Sequence, residues 1–195
     1  CAFTGSTHSP YDHPKKANQN WKGELSDFMN SVIYADGCLN TFVQKCKKEE
    51  WFSNTLFVFV ADHGHGTPSA PDPFYNNFFR IPLLIWGEPL KKEYRGTRIG
   101  KVCSQSDIAA TLMYQMDGDP SRYPWSKDVL NPNVPEFALH TLIRGYGWIT
   151  PLGGMAYQMD MKHYHDNTFP KEVEAVEIKK CHAYLTEIYE DYKNL

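Results

Sequence analysis

The stretch that most constrains this chain is Asn54-Thr55-Leu56-Phe57-Val58-Phe59-Val60-Ala61, followed at once by Asp62-His63-Gly64-His65-Gly66. The first part is apolar without alternation and rich in β-branched and aromatic residues. Such a run fits a strand covered on both faces, as in a parallel sheet flanked by helices. The second part is turn chemistry, with glycines that relieve crowding. In open α/β sheets ligands bind just beyond the carboxyl ends of the strands. An aspartate and an imidazole side by side at such a strand end can chelate a divalent cation. A capping carboxylate next to a surface histidine would read the same way, and spacing alone leaves both open.

The surrounding pattern supplies helices for that sheet. Apolar residues recur every three to four positions over 24–48 (Leu25, Phe28, Met29, Val32, Ile33, Leu39, Phe42, Val43, Cys46), which predicts a long amphipathic helix. Lys45, Lys47 and Lys48 suit its carbonyl end. Ile81-Pro82-Leu83-Leu84-Ile85-Trp86 predicts a second buried strand, with Pro82 at its start because proline has no N–H to donate. Ser106 or Asp107 can cap a helix running to about Met116. Residues 137–140 and 154–159 read as short strands around a glycine-rich turn (Gly145, Gly147, Gly153, Gly154), and 171–192 as a closing helix. This order predicts an α/β layer with a smaller antiparallel piece near the C-terminus.

With 195 residues, 42% hydrophobic and 14% aromatic, the chain has the material for a core. A net charge of −3 gives no basic surplus for nucleic acid or an anionic membrane. No apolar run approaches the ~18 residues of a membrane-spanning helix. The opening Cys1-Ala2-Phe3-Thr4 is neither an initiator methionine nor a signal peptide and reads like the middle of a protein. Five widely spaced cysteines (Cys1, Cys38, Cys46, Cys103, Cys181) make no zinc ribbon and no disulfide framework, and leave room for one disulfide.

Other polar residues invite a chemical reading beside a plainer one. His8 lies in Thr7-His8-Ser9-Pro10-Tyr11, where a histidine is either a ligand-binding group or a surface residue. His65 would share a side with His63 on an extended segment; in a glycine-bracketed turn its direction is not fixed by sequence. Arg80 could hold a phosphate in bidentate fashion, and its place before a strand equally suits a structural ion pair. His163 and His165 fall in a polar stretch and read as solvent-exposed. Trp51, Trp86, Trp125 and Trp148 read as packing residues.

Five segments together resemble the alkaline phosphatase superfamily, and within it the sulfatase-like branch of lipoteichoic acid synthases and related phosphoglycerol transferases. The segment 53–65, ending in Asp62-His63-Gly64-His65, resembles the late metal-binding motif. His8-Ser9-Pro10-Tyr11 resembles the His-x-Pro loop, and Tyr34-Ala35-Asp36-Gly37-Cys38-Leu39 with Phe42 the helix before the motif strand. Phe79-Arg80-Ile81-Pro82-Leu83-Leu84-Ile85 resembles the following Arg-x-Pro strand. Gln105-Ser106-Asp107-Ile108-Ala109-Ala110-Thr111-Leu112 resembles a later helix. The likeness runs from about 1 to 130, and Gly145-Tyr146-Gly147-Trp148 is similar to a distal hairpin of the branch.

The resemblance implies an α/β fold, alkaline-phosphatase-like, with a mostly parallel sheet flanked by helices and a small antiparallel C-terminal piece. It implies a two-step ester transfer through a covalent intermediate on a hydroxyl nucleophile held by a metal ion. Asp62 and His63 would be metal ligands, and His8, His65 and Arg80 would face the anionic substrate. The family's nucleophile and first acidic ligand lie in the N-terminal half of its domain, and no residue here matches them. Residues 1–195 are therefore expected to be the C-terminal part of one catalytic domain, 1–130 an α/β core carrying the metal motif and 131–195 distal strands and a helix. Such a part is expected to be inactive without the other half, its chief partner besides an anionic phosphate- or sulfate-ester substrate.

Typical sulfatases carry Asn after this Asp and bind Ca²⁺ through oxygens. An imidazole at that place suits Mn²⁺ or Zn²⁺ better, with Mg²⁺ or Ca²⁺ as further candidates. The phosphate-ester branches carry Asp-His, so the expectation tilts toward phosphoryl transfer over sulfate hydrolysis. A catalytically inactive binding module that keeps the fold is the reading from another class. The likeness also places the chain in an extracytoplasmic domain of a bacterial membrane protein.

Overall fold

A computed structural model of the chain describes residues 1–14, 24–66 and 73–195. The described residues divide into two compact units, the first drawn from 1–14, 24–61 and 82–95, the second from 62–66, 73–81 and 96–195.

The first unit holds helix α1 (Glu24–Cys46), strand β1 (Phe57–Val60) and strand β2 (Leu83–Trp86). Lys45 closes the last turn of α1, as the helix dipole favours. The strands pair antiparallel, with Phe57 opposite Trp86 and Val60 opposite Leu83. The Phe57 ring lies 5.3 Å from Trp86, 5.8 Å from Phe52 and 6.3 Å from Phe42, an aromatic cluster with tilted and edge-on geometries. The parallel pairing expected from the apolar run does not occur among the described residues, where both sheets are antiparallel. The reason is physical: an apolar run reports coverage by neighbours, and strand direction leaves no mark on it. The coverage is itself partial, since Leu84 is 56% exposed.

The second unit carries helix α2 (Asp107–Gln115), strands β3 (Ala138–Leu142), β4 (Gly145–Thr150), β5 (Gly153–Gln158) and β6 (His163–Asn167), and helix α3 (Lys171–Lys193). The four strands form an antiparallel meander in chain order. Residues alternate between its two faces. Trp148 on β4 and its partner Met155 on β5 face α3 and pack with Phe169 and Cys181, all four buried. Leu139, Tyr146, Tyr157 and Tyr164 extend that layer, met by Val173, Tyr184 and Leu185 of α3. Burying a side chain the size of Met155 contributes about 2–3 kcal/mol. The one carboxylate in this layer, Glu177, is satisfied by the Trp148 indole N–H at 3.2 Å and Lys180 Nζ at 2.7 Å.

The opposite face carries His140, Gly147, Gly154, Ala156 and Gln158. A bulge between Ala156 and Tyr157 leaves His165 as an extra residue on β6, so that Tyr164 opposes Tyr157 and Asp166 opposes Ala156. The residue pattern did not predict β4 and β6: Gly145 and Gly147 suggest a turn, although the likeness of 145–148 to a distal hairpin points to β4, and His163-Tyr164-His165-Asp166-Asn167 suggests a polar loop. Both glycines are strand residues, because a Cβ at 145 would lie 2.3 Å from the Tyr157 carbonyl oxygen and one at 147 would lie 2.0 Å from the His140 ring. His165 is correspondingly not a free surface residue. Its Nε2 is 2.6 Å from Gln158 Oε1, and Phe74 stacks on its ring at 4.8 Å.

The start of α2 is fixed by Asp107, fully buried at the first helical position. Its carboxylate accepts from the Ser104 N–H at 2.8 Å and from the Lys127 N–H and Nζ at 2.9 and 2.8 Å. Of the two candidate caps, Asp107 carries the polar contacts, while the Ser106 side chain makes no capping bond.

Candidate metal site

Asp62 follows β1 by two residues, and the sequence then turns on Gly64. The turn is pinned within the second unit. The Gly64 N–H donates to the Phe78 carbonyl at 2.9 Å, and Gln105 Nε2 donates to the Asp62 carbonyl at 3.1 Å. Phe78 also lays its ring parallel to that of His63, 5.8 Å between centroids.

This pinning orients two side chains. Asp62 Oδ1 accepts the N–H of His63 at 2.9 Å, which leaves Oδ2 outward. His63 Nδ1 is 2.6 Å from the Gly64 carbonyl, so Nδ1 carries the proton and donates, and the Nε2 lone pair is free. Nε2 and Oδ2 face each other at 3.6 Å, with both side chains more than half exposed. Two donors on one tetrahedral cation with bonds of about 2.0 Å stand about 3.3 Å apart. The pair therefore fits a shared divalent ion, and the Nδ1–carbonyl bond is the outer contact that metal-bound histidines ordinarily make. A carboxylate with an imidazole suits Mn²⁺ or Zn²⁺ better than Ca²⁺. Among the described residues, no group of three or more His, Cys, Asp or Glu side chains is gathered where one ion could be held.

His65 is half-buried in the same turn; its burial, and behind it the neighbouring His63, hold its imidazole below the ordinary value. Arg80 directly follows the 3₁₀ turn Asn76–Phe79, is exposed, and makes no ion pair among the described residues. The structural ion pair open to it in the sequence is thus not formed there. His8 belongs to the first unit; it is exposed, its Nδ1 lies 2.7 Å from the Ser9 carbonyl, and its Nε2 points away from that bond. The geometry brings Asp62, His63 and His65 into one turn and places Arg80 two residues beyond Phe78.

Three polar residues that bear on this turn carried no signal in the sequence. Asn76 is buried; its N–H and Nδ2 both donate to Asp166 Oδ2, at 3.1 and 3.0 Å, and its Oδ1 lies 2.9 Å from His140 Nε2. Burial pushes the His140 imidazole down to about 4, against which a backbone contact at Thr141 and the Asp166 charge act in the raising direction.

Known proteins share this fold and family. A solved structure described as a protein in the alkaline phosphatase superfamily, from Vibrio parahaemolyticus, superposes with a TM-score of 0.65 at 24% identity, over 95% of this chain and 48% of that one. The lipoteichoic acid synthase LtaP from Listeria monocytogenes superposes with a TM-score of 0.61 at 19% identity, over 93% and 52%. The fold is alkaline-phosphatase-like. A family model described as Sulfatase matches residues 1–118, and the chain belongs to that family. The chain is also 30% identical over 81 residues to GPI ethanolamine phosphate transferase 1 of Candida glabrata, covering 40% of this chain and 9% of that protein. It thus spans about half the length of the solved structures it matches and a small part of the curated relative.

Proposed function

We propose that this chain is the C-terminal portion of a metal-dependent transferase or hydrolase of phosphate esters, of the phosphoglycerol-transferase kind. The observation that carries the reading is the disposition of Asp62 Oδ2 and His63 Nε2, both unengaged and facing each other at 3.6 Å. Membership of the sulfatase family and similarity to an ethanolamine phosphate transferase and a lipoteichoic acid synthase support the reaction class.

Asp62 and His63 would hold a divalent ion, Mn²⁺ or Zn²⁺ by donor chemistry. Such an ion, when bound, neutralises charge on the transferred group and lowers the pKa of an oxygen nucleophile. The Gly64 carbonyl fixes the His63 tautomer so that Nε2 remains a donor to metal. Arg80 offers a planar pair of N–H groups to a phosphoryl oxygen. His65, in the same turn as His63, would face the anionic substrate. His8 offers a second imidazole for the anionic group. The nucleophile belongs to the other half of the domain, with Cys1–Leu195 supplying only part of the metal site. Work outside the cytoplasm, on a membrane-linked acceptor, belongs to the same proposal; among the described residues no helix is long and apolar enough to cross a membrane.

The family match also supports a second reading, a sulfuric-ester hydrolase. Turnover of bis(p-nitrophenyl) phosphate and of p-nitrophenyl sulfate by the full-length protein, stripped with EDTA and reloaded with Mn²⁺, Zn²⁺ or Ca²⁺, separates the two. The phosphate ester should turn over at least tenfold faster, with Mn²⁺ or Zn²⁺ restoring activity and Asp62→Ala abolishing it. Faster sulfate turnover restored by Ca²⁺ establishes the second reading. Metal binding without turnover of either ester leaves a binding module.

A further inference from the structure

The turn Asn76–Phe79 has two jobs that its helical pitch keeps apart. In a 3₁₀ helix residues i and i+3 lie above one another. Asn76 and Phe79 therefore share a side, and both engage the four-stranded sheet: Asn76 through Asp166 and His140, Phe79 by stacking on the His140 ring with centroids 3.9 Å apart. Phe78 lies between them and turns to the Asp62-His63-Gly64 corner, touching it with its carbonyl at Gly64 and its ring at His63.

The sheet is cut to receive Asn76. A Cβ at Gly147 would stand 2.9 Å from Asn76 Oδ1 as well as inside the His140 ring, and one at Gly154 would stand 3.0 Å from Asn76 Nδ2. Two glycines on adjacent strands thus let a side-chain amide lie flat against the sheet. Its orientation is forced: a carboxylate cannot donate, so Nδ2 faces Asp166 and Oδ1 accepts from His140 Nε2–H. Burial disfavours the charged form of His140, and the neutral ring with its proton on Nε2 makes the same donation. The amide is thereby satisfied on both ends without free rotation.

We propose that Asn76 is a positioning residue for the Asp62–His63 pair, its amide locked between Asp166 and His140 so that Phe78 holds the metal-binding corner in register. The inference rests on the phosphate-ester reading for the purpose of the corner; the mechanical link stands on contacts alone. Second-layer groups around a metal site ordinarily change its affinity 10- to 100-fold. Asn76→Asp sets two carboxylates against each other. Adding Asp166→Asn restores a donor–acceptor pair with reversed polarity, and His140 still finds an acceptor.

The test uses the full-length protein, ¹⁵N-labelled, with two readouts: amide exchange at Gly64 without metal, and Mn²⁺ affinity by titration. Asn76→Asp should speed Gly64 exchange at least tenfold and weaken Mn²⁺ binding about tenfold, and the double variant should bring both back to within threefold of wild type. Unchanged Gly64 exchange in Asn76→Asp, or a loss that the double variant fails to restore, overturns the positioning role. If Asn76→Asp does not fold, Asp166→Ala, which removes the acceptor of the Asn76 N–H and Nδ2, is measured instead and must show the same acceleration. Should wild type bind no Mn²⁺, or Asp62→Ala bind it undiminished, the metal reading falls while the exchange result still decides the mechanical link.

Discussion

Gly64 and Phe78 touch through their backbones so closely that position 64 has no room for a side chain: a Cβ there would lie 2.1 Å from the Phe78 carbonyl oxygen. Because the obstacle is backbone, it cannot swing aside. Gly64→Ala should therefore break the 2.9 Å hydrogen bond, cost about 1–3 kcal/mol, and weaken divalent-metal binding at least tenfold. Gly66→Ala is the control, since nothing lies within 4 Å of a Cβ there. Urea melts and Mn²⁺ titration of both variants measure the difference, and equal losses would remove the steric argument.

Lys127 and Asp107 form a buried pair, with the carboxylate wholly inaccessible and the ammonium 14% exposed. Removing one partner of such a pair leaves a charge without compensation, at a cost of about 3–5 kcal/mol. Lys127→Met should show that loss as a lowered urea midpoint. Pairing it with Asp107→Asn should recover part of it, because the amide can still accept from the Ser104 N–H. A single variant as stable as wild type would mean that the pair does not anchor α2.

Acid should weaken the second unit through His140. Its folded value of about 4 lies below the unfolded value of about 6.5, so between those limits the unfolded chain binds the extra proton. The contribution is whole above pH 6.5, falls as pH drops toward 4, and is gone below, a loss of about 3 kcal/mol at most. Asp166, the nearest charge facing the ring, limits the drop because it favours the protonated form. Stability measured from pH 7.5 to 4 should lose this slope in His140→Gln. A slope that persists in the variant would assign it to other groups.

No two of the five cysteines are bridged in the structure. Cys1 and Cys38 are exposed, whereas Cys46 and Cys181 are buried, and burial pushes the Cys181 thiol up to about 12. A thiol in that state supplies no thiolate. Native iodoacetamide labelling read by mass spectrometry should modify positions 1 and 38 first and reach 46 and 181 only in denaturant. Rapid native labelling at 181 would contradict the packing of α3 on the sheet.

The helices were legible because periodicity is a local property: 24–48 predicts α1, and 171–192 predicts α3, each to within a turn. Strands β1 and β2 were legible as strands, but their direction was not, since apolar runs record coverage alone. Strands β4 and β6 were hidden by glycines kept for space and by polar residues that face Asn76 and Gln158. The Asp62-His63 pair stood out in the sequence as a carboxylate and an imidazole directly after a strand. Its support could not be read there, since Asn76 meets His140 and Asp166 across 64 and 90 residues of sequence. One-dimensional patterns carry no trace of partners so distant.

The extra residue on β6 gives the strand two phases. Plain alternation would send Tyr164 and Asp166 to the same side; with His165 looped out, the ring goes to α3 and the carboxylate to the other surface. Straightening the ladder while keeping His165 would set Asp166 opposite Met155 and drive a charge into the driest layer of the molecule. A homologous chain shorter by that one residue would meet no such conflict. Length variation in this strand should therefore fall at position 165 itself, and a gap drawn in the neighbouring hairpin would misassign every side chain that follows it.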